Sequence, residues 1–427
     1  MISAIVFGTL ILFLLLGAPV FTILSGIALF GFYLGGMHMS IVGTEVFRLS
    51  SNPVLISIPL FTFAGFVLGE SKAPERMVKF CQAILGWVPG GLAIVTVFTC
   101  AFFTAFNGAS GVTIIVIGGL LYPALLSEKY PERFSLGLVT TGGCLGLLFA
   151  PSIPLILYGI IAKQPVFDMF VAGFLPCLVV LCVFSIYSML RAAYQYKIQR
   201  TSFHFRTLGS ALWLAKWELM IPVIVLGGIY SSIFAVSEAA AITAFYVFVV
   251  EVLIFREISL QRLIRVMGQS MIMVGGILII VASAISMANF LIDAEVPTRL
   301  FKVIVGNIHS KFMFLLCLNG FVLILGVLID IFSATVIVVP LLVPVAQQYD
   351  INLVHLGIIF LANMAMGYQT PLVGLDVLIA SFRFKKPVLE LTRAALPYMG
   401  LLLLSQIFIT YWPDLSLIIL RLMGKPY

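Results

Sequence analysis

Charge is what this sequence has least of. Of 427 residues, 10% are charged and 62% are hydrophobic, against roughly 25% charged in a soluble domain. A chain of this length cannot hide so much apolar surface from water, so the solvent for most of its surface is lipid. Histidine is scarce as well: four residues, scattered and mostly in loops, so a histidine metal cluster is not expected. The six cysteines (Cys81, Cys100, Cys144, Cys177, Cys182 and Cys317) show no metal-ligand spacing. Most lie inside apolar runs, where cysteine is a small packing residue. No Walker-type phosphate loop is present, so ATP consumption by this chain is not expected. No nucleophile–base pair marks a membrane enzyme, and no polar stretch is long enough for a separate soluble domain.

Apolar runs are what the chain has in abundance. They follow one another from Ile2–Gly36 to Ala394–Leu420, many of them reaching the about 20 residues that cross a hydrocarbon core. Ile2–Gly36 is too long for a signal-peptide core and has no basic residue before it, so it reads as a retained span. A barrel would need strands of alternating polarity; Ile221–Gly228 and Phe321–Ile329 do not alternate. The formal charge of +7 comes from basic residues in short loops, where they set topology rather than bind nucleic acid. Arg191, Lys197, Arg200, Arg206 and Lys216 have no acid among them, and Arg256, Arg262 and Arg265 face one Glu257. Two spans separate these stretches, so both lie on one side, the cytoplasmic one. The expected fold is an all-α polytopic membrane protein, with residues 1–190 and 217–427 as two halves joined by a cytoplasmic linker, 191–216.

The halves resemble each other. In the first, Ser110–Pro123 leads through a polar loop to Phe134 and then to Ala150–Leu155 (APSIPL). In the second, Ser333–Pro344 leads through a polar loop to Leu353 and then to Thr370–Leu375 (TPLVGL). Two apolar stretches are also interrupted, Phe98–Leu126 by Thr104–Gly111 and Phe321–Ala346 by Gly326–Ser333. Each remaining arm is short for a crossing, which points to helical hairpins that enter and leave on one side. Hairpin tips expose backbone groups that lipid cannot satisfy, so they belong inside protein or against a wet cavity. The helices that follow are broken by glycine and proline at Gly142–Pro154 and Gly367–Gly374, which frees carbonyls. Paired broken segments in corresponding halves point to a secondary transporter's binding site.

A sodium ion needs several oxygens, which freed carbonyls, hydroxyls and amides supply. The first tip offers Asn107 and Ser110, with Thr104 and Thr113 nearby; the second offers Asp330, Ser333 and Thr335, with Gly326 allowing close approach. The breaks add Gly146, Pro151, Gly367 and Thr370. A substrate anion is drawn to half-helix N-termini. Asp330 is the sharpest residue, because a charge within an apolar span is costly unless paired; the alternative is a carboxylate at the water boundary. Asp376 lies one turn beyond the second break and is either functional or a structural hydrogen-bonding group. Glu238 after Ser237 also fits an ordinary helix start. Asn363 and Gln369 fit interhelical hydrogen bonding. Arg48 is a candidate for an anionic substrate, or an interface residue.

Five segments resemble a known family: Gly91–Thr96 (GLAIVT), Ala101–Ser110 (AFFTAFNGAS), Pro151–Gly159 (PSIPLILYG), Gly228–Ala241 (GIYSSIFAVSEAAA) and Gly367–Gly374 (GYQTPLVG). In order and over essentially the whole chain, they look like the large membrane subunit of tripartite ATP-independent periplasmic (TRAP) transporters. The resemblance implies a multi-pass protein of the bacterial inner membrane and an elevator-type fold of inverted repeats, each with a re-entrant hairpin and a broken helix. It implies Na+ as coupling ion, two or more per cycle, and import of an organic anion, a carboxylate or sulfonate. It also implies two partners, a small four-helix membrane subunit and a periplasmic solute-binding protein. By position it places Asn107, Ala109, Gly326, Gly367 and Thr370 at one sodium site, and Asp330 near sodium and substrate. Asn107, Ser110, Asp330, Ser333, Asp376 and Arg48 are the substrate candidates. The chain departs from the family at Ala109, which has no hydroxyl where the family has serine, at Leu372 in place of a second proline, and at Ala150 in place of proline. A proton-coupled carrier, or one working without a binding protein, is the competing expectation, since Asp330 and Asp376 could carry protons.

Overall fold

The computed structural model describes residues 18–36, 38–40, 42–44, 47, 52–196, 205–231, 233–296, 308–371 and 374–427. Among these, regular structure is entirely helical, and nine helices are long and apolar enough to cross a membrane. In chain order the helices are α1 (Val20–Leu34), α2 (Ser57–Glu70), α3 (Ala73–Leu85), α4 (Gly91–Asn107), α5 (Ser110–Ser127), α6 (Glu132–Gly142), α7 (Ile153–Ile161) and α8 (Val166–Leu190). There follow α9 (Phe205–Pro222), α10 (Val236–Phe248), α11 (Leu260–Asp293), α12 (Lys311–Leu328), α13 (Ile331–Gln348), α14 (Leu353–Gly367), α15 (Leu375–Phe384), α16 (Val388–Tyr411) and α17 (Asp414–Leu422). Large apolar side chains point outward all over this bundle, among them Trp213, Phe245, Phe312 and Ile272, the last 78% exposed. Such a surface is stable against lipid and not against water.

Helix starts and stops follow local chemistry. Pro131, Pro165 and Pro387 precede α6, α8 and α16, where their missing N–H costs nothing. Asn352 starts α14 by accepting from Val354 N and His355 N. Glu238 accepts the Ala235 N–H at 2.9 Å, so it marks the start of α10. Asn363 donates to Asn319 Oδ1 at 2.6 Å, across helices α14 and α12.

Two sets of helices share one packing scheme. In the first half α4 and α5 form a hairpin, followed by α6, a break, α7 and α8. In the second, α12 and α13 are followed by α14, a break, α15 and α16. The contacts are reciprocal: α7 packs on α13 as α15 packs on α5, and α6 on α16 as α14 on α8. Around this centre lie α1, α2, α3, α9, α10 and α11, with α2, α3 and α11 touching the hairpin helices.

The hairpins differ in detail from expectation. Thr104 and Asn107 belong to α4, and only Gly108 and Ala109 separate the arms. The arms reach back to Gly91 and Lys311, so those of the second hairpin have 18 residues each, roughly 27 Å of helix. Arm length therefore does not set them apart from spans; the first tip is buried, at Asn107 and Ser110, whereas Leu328 at the second is 71% exposed. The expected linker is largely helical too. A π-helical stretch, Arg191–Tyr196, continues α8, and α9 begins at Phe205.

Candidate transport site

The first tip turns at Gly108, whose φ of 65° suits glycine. A Cβ there would also meet the Ile153 side chain at 2.7 Å. The Asn107 amide holds the turn: its Oδ1 accepts from Ala109 N at 2.8 Å and its Nδ2 donates to Thr113 Oγ1 at 3.1 Å. Thr104 Oγ1 lies 2.8 Å from both Thr113 Oγ1 and the Gly143 carbonyl of the first break. The residue before α5 is Ala109, which offers no capping side chain. The first N–H groups of α5 therefore have neither a helical partner nor a side-chain cap.

The second tip is built the opposite way. Asp330 caps α13, its Oδ1 accepting from Phe332 N and Ser333 N at 2.9 Å and its Oδ2 from Ser333 Oγ at 2.5 Å. The Ile331 N–H donates to the Tyr368 hydroxyl at 2.5 Å. The positive end of α13 is thus matched by its own capping carboxylate, whereas α5 has no capping side chain and meets a carboxylate, Asp376, only through the Ser110 hydroxyl.

Each hairpin closes on the break of its own half. Gly146 sits so close to α4 that a Cβ would come 2.0 Å from the Ala101 carbonyl. Pro151 lies at the end of the same break, before α7. In the second half Gly367 lies against Gly326, where its Cβ would meet the Gly326 backbone at 2.6 Å, and Thr370 Oγ1 donates to the Gly367 carbonyl at 2.8 Å. The contacts thus group Asn107 with Thr104, Thr113 and Gly143, and Gly326 with Gly367 and Thr370: two clusters, one per hairpin.

A cavity of about 330 Å³ lies between the tips, lined by residues 108–112 of the first and 330–332 of the second. Tyr368 and Leu375 border it beside the second break, and Met273 enters from α11. Asp330 is the charged side chain in its wall. Ala109 and Ser110 line it. Ser333 is buried and bound to Asp330, and Arg48 lies outside the described residues. Asp376 is not in the wall; it sits behind Ser110, fully buried. Ser110 Oγ donates to its Oδ1 at 2.5 Å and Gln369 Nε2 to its Oδ2 at 2.6 Å. These bonds tie the first tip to the second break. Tyr368 and Met273 escaped sequence reasoning, because an aromatic residue and a methionine in apolar runs look like packing.

Residues 7–415 match the family described as Tripartite ATP-independent periplasmic transporter, DctM component. The chain belongs to this family. Like its DctM-family relatives it is a multi-pass protein of the inner membrane. The C4-dicarboxylate TRAP transporter large permease protein DctM of Rhodobacter capsulatus is 31% identical over 99% of this chain and all of that protein. The isethionate TRAP transporter permease protein DctMQ of Oleidesulfovibrio alaskensis is 31% identical over 97% of this chain, which spans 65% of that longer protein. The ectoine TRAP transporter large permease protein TeaC of Halomonas elongata is 27% identical over 97% of this chain and 98% of its own length. In fold, the DctM-family chain is similar to the YdaH transporter of Alcanivorax borkumensis, with a TM-score of 0.58 at 14% identity, covering 88% of this chain and 87% of that one.

Proposed function

We propose that this chain is the large membrane subunit of a sodium-coupled importer that moves an organic anion from periplasm to cytoplasm. The observation that carries this reading is the cavity between the two tips, with the uncapped N-terminus of α5 at its edge. The anion's carboxylate or sulfonate accepts from the free N–H groups at residues 110–112, where the helix dipole favours negative charge. The Ser110 hydroxyl stands at the same place. The Asp330 charge repels a second anion and keeps α13 from competing for the first. Relatives named for C4-dicarboxylates and isethionate support the anion class.

Sodium is the cargo that neutralises this site. Carbonyls freed in the two breaks, with Asn107 and Thr104 in one cluster and Thr370 in the other, supply oxygens without proton chemistry. Gly326 and Gly367 let the second hairpin approach its break closely enough to share an ion. With both clusters filled, the tips are fixed and the anion site is formed. The reciprocal unit of α4–α8 and α12–α16 then moves as one body against the surrounding helices, an elevator step. A small four-helix membrane subunit completes the fixed part, and a periplasmic solute-binding protein delivers the anion.

The test is uptake of radiolabelled succinate and isethionate into proteoliposomes holding both membrane subunits, with the binding protein added outside. Uptake that needs an inward sodium gradient and the binding protein is expected. Uptake that follows a proton gradient and ignores sodium would overturn the coupling, and uptake without the binding protein would overturn the tripartite assembly.

A further inference from the structure

The arms of the two hairpins meet differently. In the first, the Thr104–Thr113 hydrogen bond joins α4 to α5 directly. In the second, each arm presents an apolar stripe at helical spacing, Phe314, Leu318 and Phe321 on α12 and Val338, Leu342 and Val345 on α13. The stripes do not interlock; they line a cavity of about 300 Å³. At the base the arms are pinned. Phe314 stacks on Tyr349, just past α13, with ring centres 4.3 Å apart, and the Tyr349 hydroxyl donates to the Ile308 carbonyl at 2.8 Å. Above that point they part. Among the described residues the wall holds only apolar side chains and Cys317, so nothing there holds a water.

We propose that this cleft between α12 and α13 is a binding site for one acyl chain of a membrane phospholipid. Its mouth faces lipid. Cys317 and Phe321 line the cavity and are exposed, and Phe312, Leu316 and Ile324 of the same helix are exposed beside them, a surface suited to hydrocarbon. A partner's helix, about 10–12 Å across, is too thick to enter. A cavity of about 300 Å³ holds roughly ten groups of water or methylene size, which an unbranched chain supplies in a row. Left empty, both stripes would forfeit their dispersion contacts. Lys311 heads the α12 stripe, about one turn before Phe314. It is exposed and donates to the Asp350 carbonyl at 2.8 Å. An ammonium has three donors, so the others suit a lipid phosphate at the base of the hairpin. The site does not depend on the coupling ion or the cargo.

The position gives the chain a task. Gly326, which lies against Gly367, is further along the same helix as Phe321. A chain held between the stripes fixes the tilt of α12 against α13, and with it the place where Gly326 meets the second break. The lipid is thus a wedge that sets the second hairpin.

The experiment is photo-crosslinking of the full-length chain in lipid nanodiscs, with and without its small membrane subunit. The probe is a phosphatidylethanolamine with a diazirine midway along one acyl chain, and cross-linked residues are mapped by mass spectrometry. Cross-links to the inward residues Leu318 and Leu342 are expected beside those to the outward Leu316 and Ile324. Leu342→Trp fills the cleft and is expected to remove the Leu318 cross-links while those to Ile324 stay. Cys317→Trp, at the rim, serves in its place should Leu342→Trp not fold. Cross-links confined to the outward residues would overturn the site, as would Leu318 cross-links that survive the filled cleft. Inward cross-links that vanish when the small subunit is added would give the cleft to that subunit and overturn the proposal.

Discussion

At the scale of single residues, Asp330 shows how one side chain has two separable properties. Its oxygens cap α13, and its charge faces the cavity. Asparagine caps as well as aspartate, and alanine does not. Asp330→Asn should therefore unfold at nearly the wild-type temperature but lose most sodium-driven uptake. Asp330→Ala should lose uptake and also about 1 kcal/mol of stability, read from thermal unfolding in detergent. Equal uptake by Asp330→Asn and wild type would make the charge irrelevant to transport. The candidacy of Asp330 was legible in the sequence because a lone acid in an apolar run is conspicuous. Its capping role was half-legible: Ser333 three residues on fits a cap, but only the fold shows which helix it starts. Tyr368 was not legible, since nothing in a linear pattern tells that its hydroxyl meets Ile331.

At the scale of elements, glycines decide how closely the hairpins close on the breaks. Gly367 and Gly326 touch backbone to backbone, so a Cβ on Gly367 would stand 2.6 Å from its neighbour. Neither backbone can yield without moving the hairpin. Gly367→Ala should thus weaken sodium binding and uptake by tenfold or more, the cost of roughly 1–3 kcal/mol of overpacking. Gly400, in the middle of α16, has nothing within 4 Å of its added Cβ. Gly400→Ala should leave uptake unchanged and raise stability by about 0.5–1 kcal/mol. A Gly367→Ala protein with wild-type sodium affinity would remove the close approach from the mechanism. The breaks themselves were readable from glycine and proline. The arm boundaries were not, because apolar residues continue through both arms and only cap geometry shows where each helix begins.

At the scale of the whole molecule, one arginine ties together helices that surround the hairpins. Arg76 on α3, 5% exposed, binds Glu218 of α9 through Nε and Glu257 through Nη1 at 2.6 Å. It also binds both oxygens of Glu251 through Nη2 at 2.8 Å. Its guanidinium lies 4.1 Å from the Phe255 ring centre. Removing it strands three carboxylates, two of them deeply buried. Arg76→Met should cost about 3–5 kcal/mol, and a thermal midpoint close to wild type would show that the carboxylates find other partners. A weaker link joins the halves at the surface, where Lys386 meets Glu132 at 2.5 Å. The hydrogen bond from Lys386 holds the Glu132 carboxyl below its ordinary value. A lowered folded-state value means the contribution exists above the ordinary carboxylate range and fades as pH falls through the lowered value. The difference in thermal midpoint between wild type and Glu132→Gln should accordingly be small near neutrality and vanish in acid.

The sequence by itself determined that this chain lives in lipid and where it is badly suited to lipid. Hydropathy reports the solvent of each residue, and glycine with proline reports where a helix must stop; both are local properties. Tertiary structure decided which interrupted segments face each other: Ser110 bonds Asp376 across 266 positions, and Arg76 gathers carboxylates from three later segments. It also placed Asn107 and Gly367 in separate contact groups, one per hairpin, and Asp376 behind the cavity wall. The reason is physical: the energy of a buried polar group depends on what lies opposite it, and that is a property of packing.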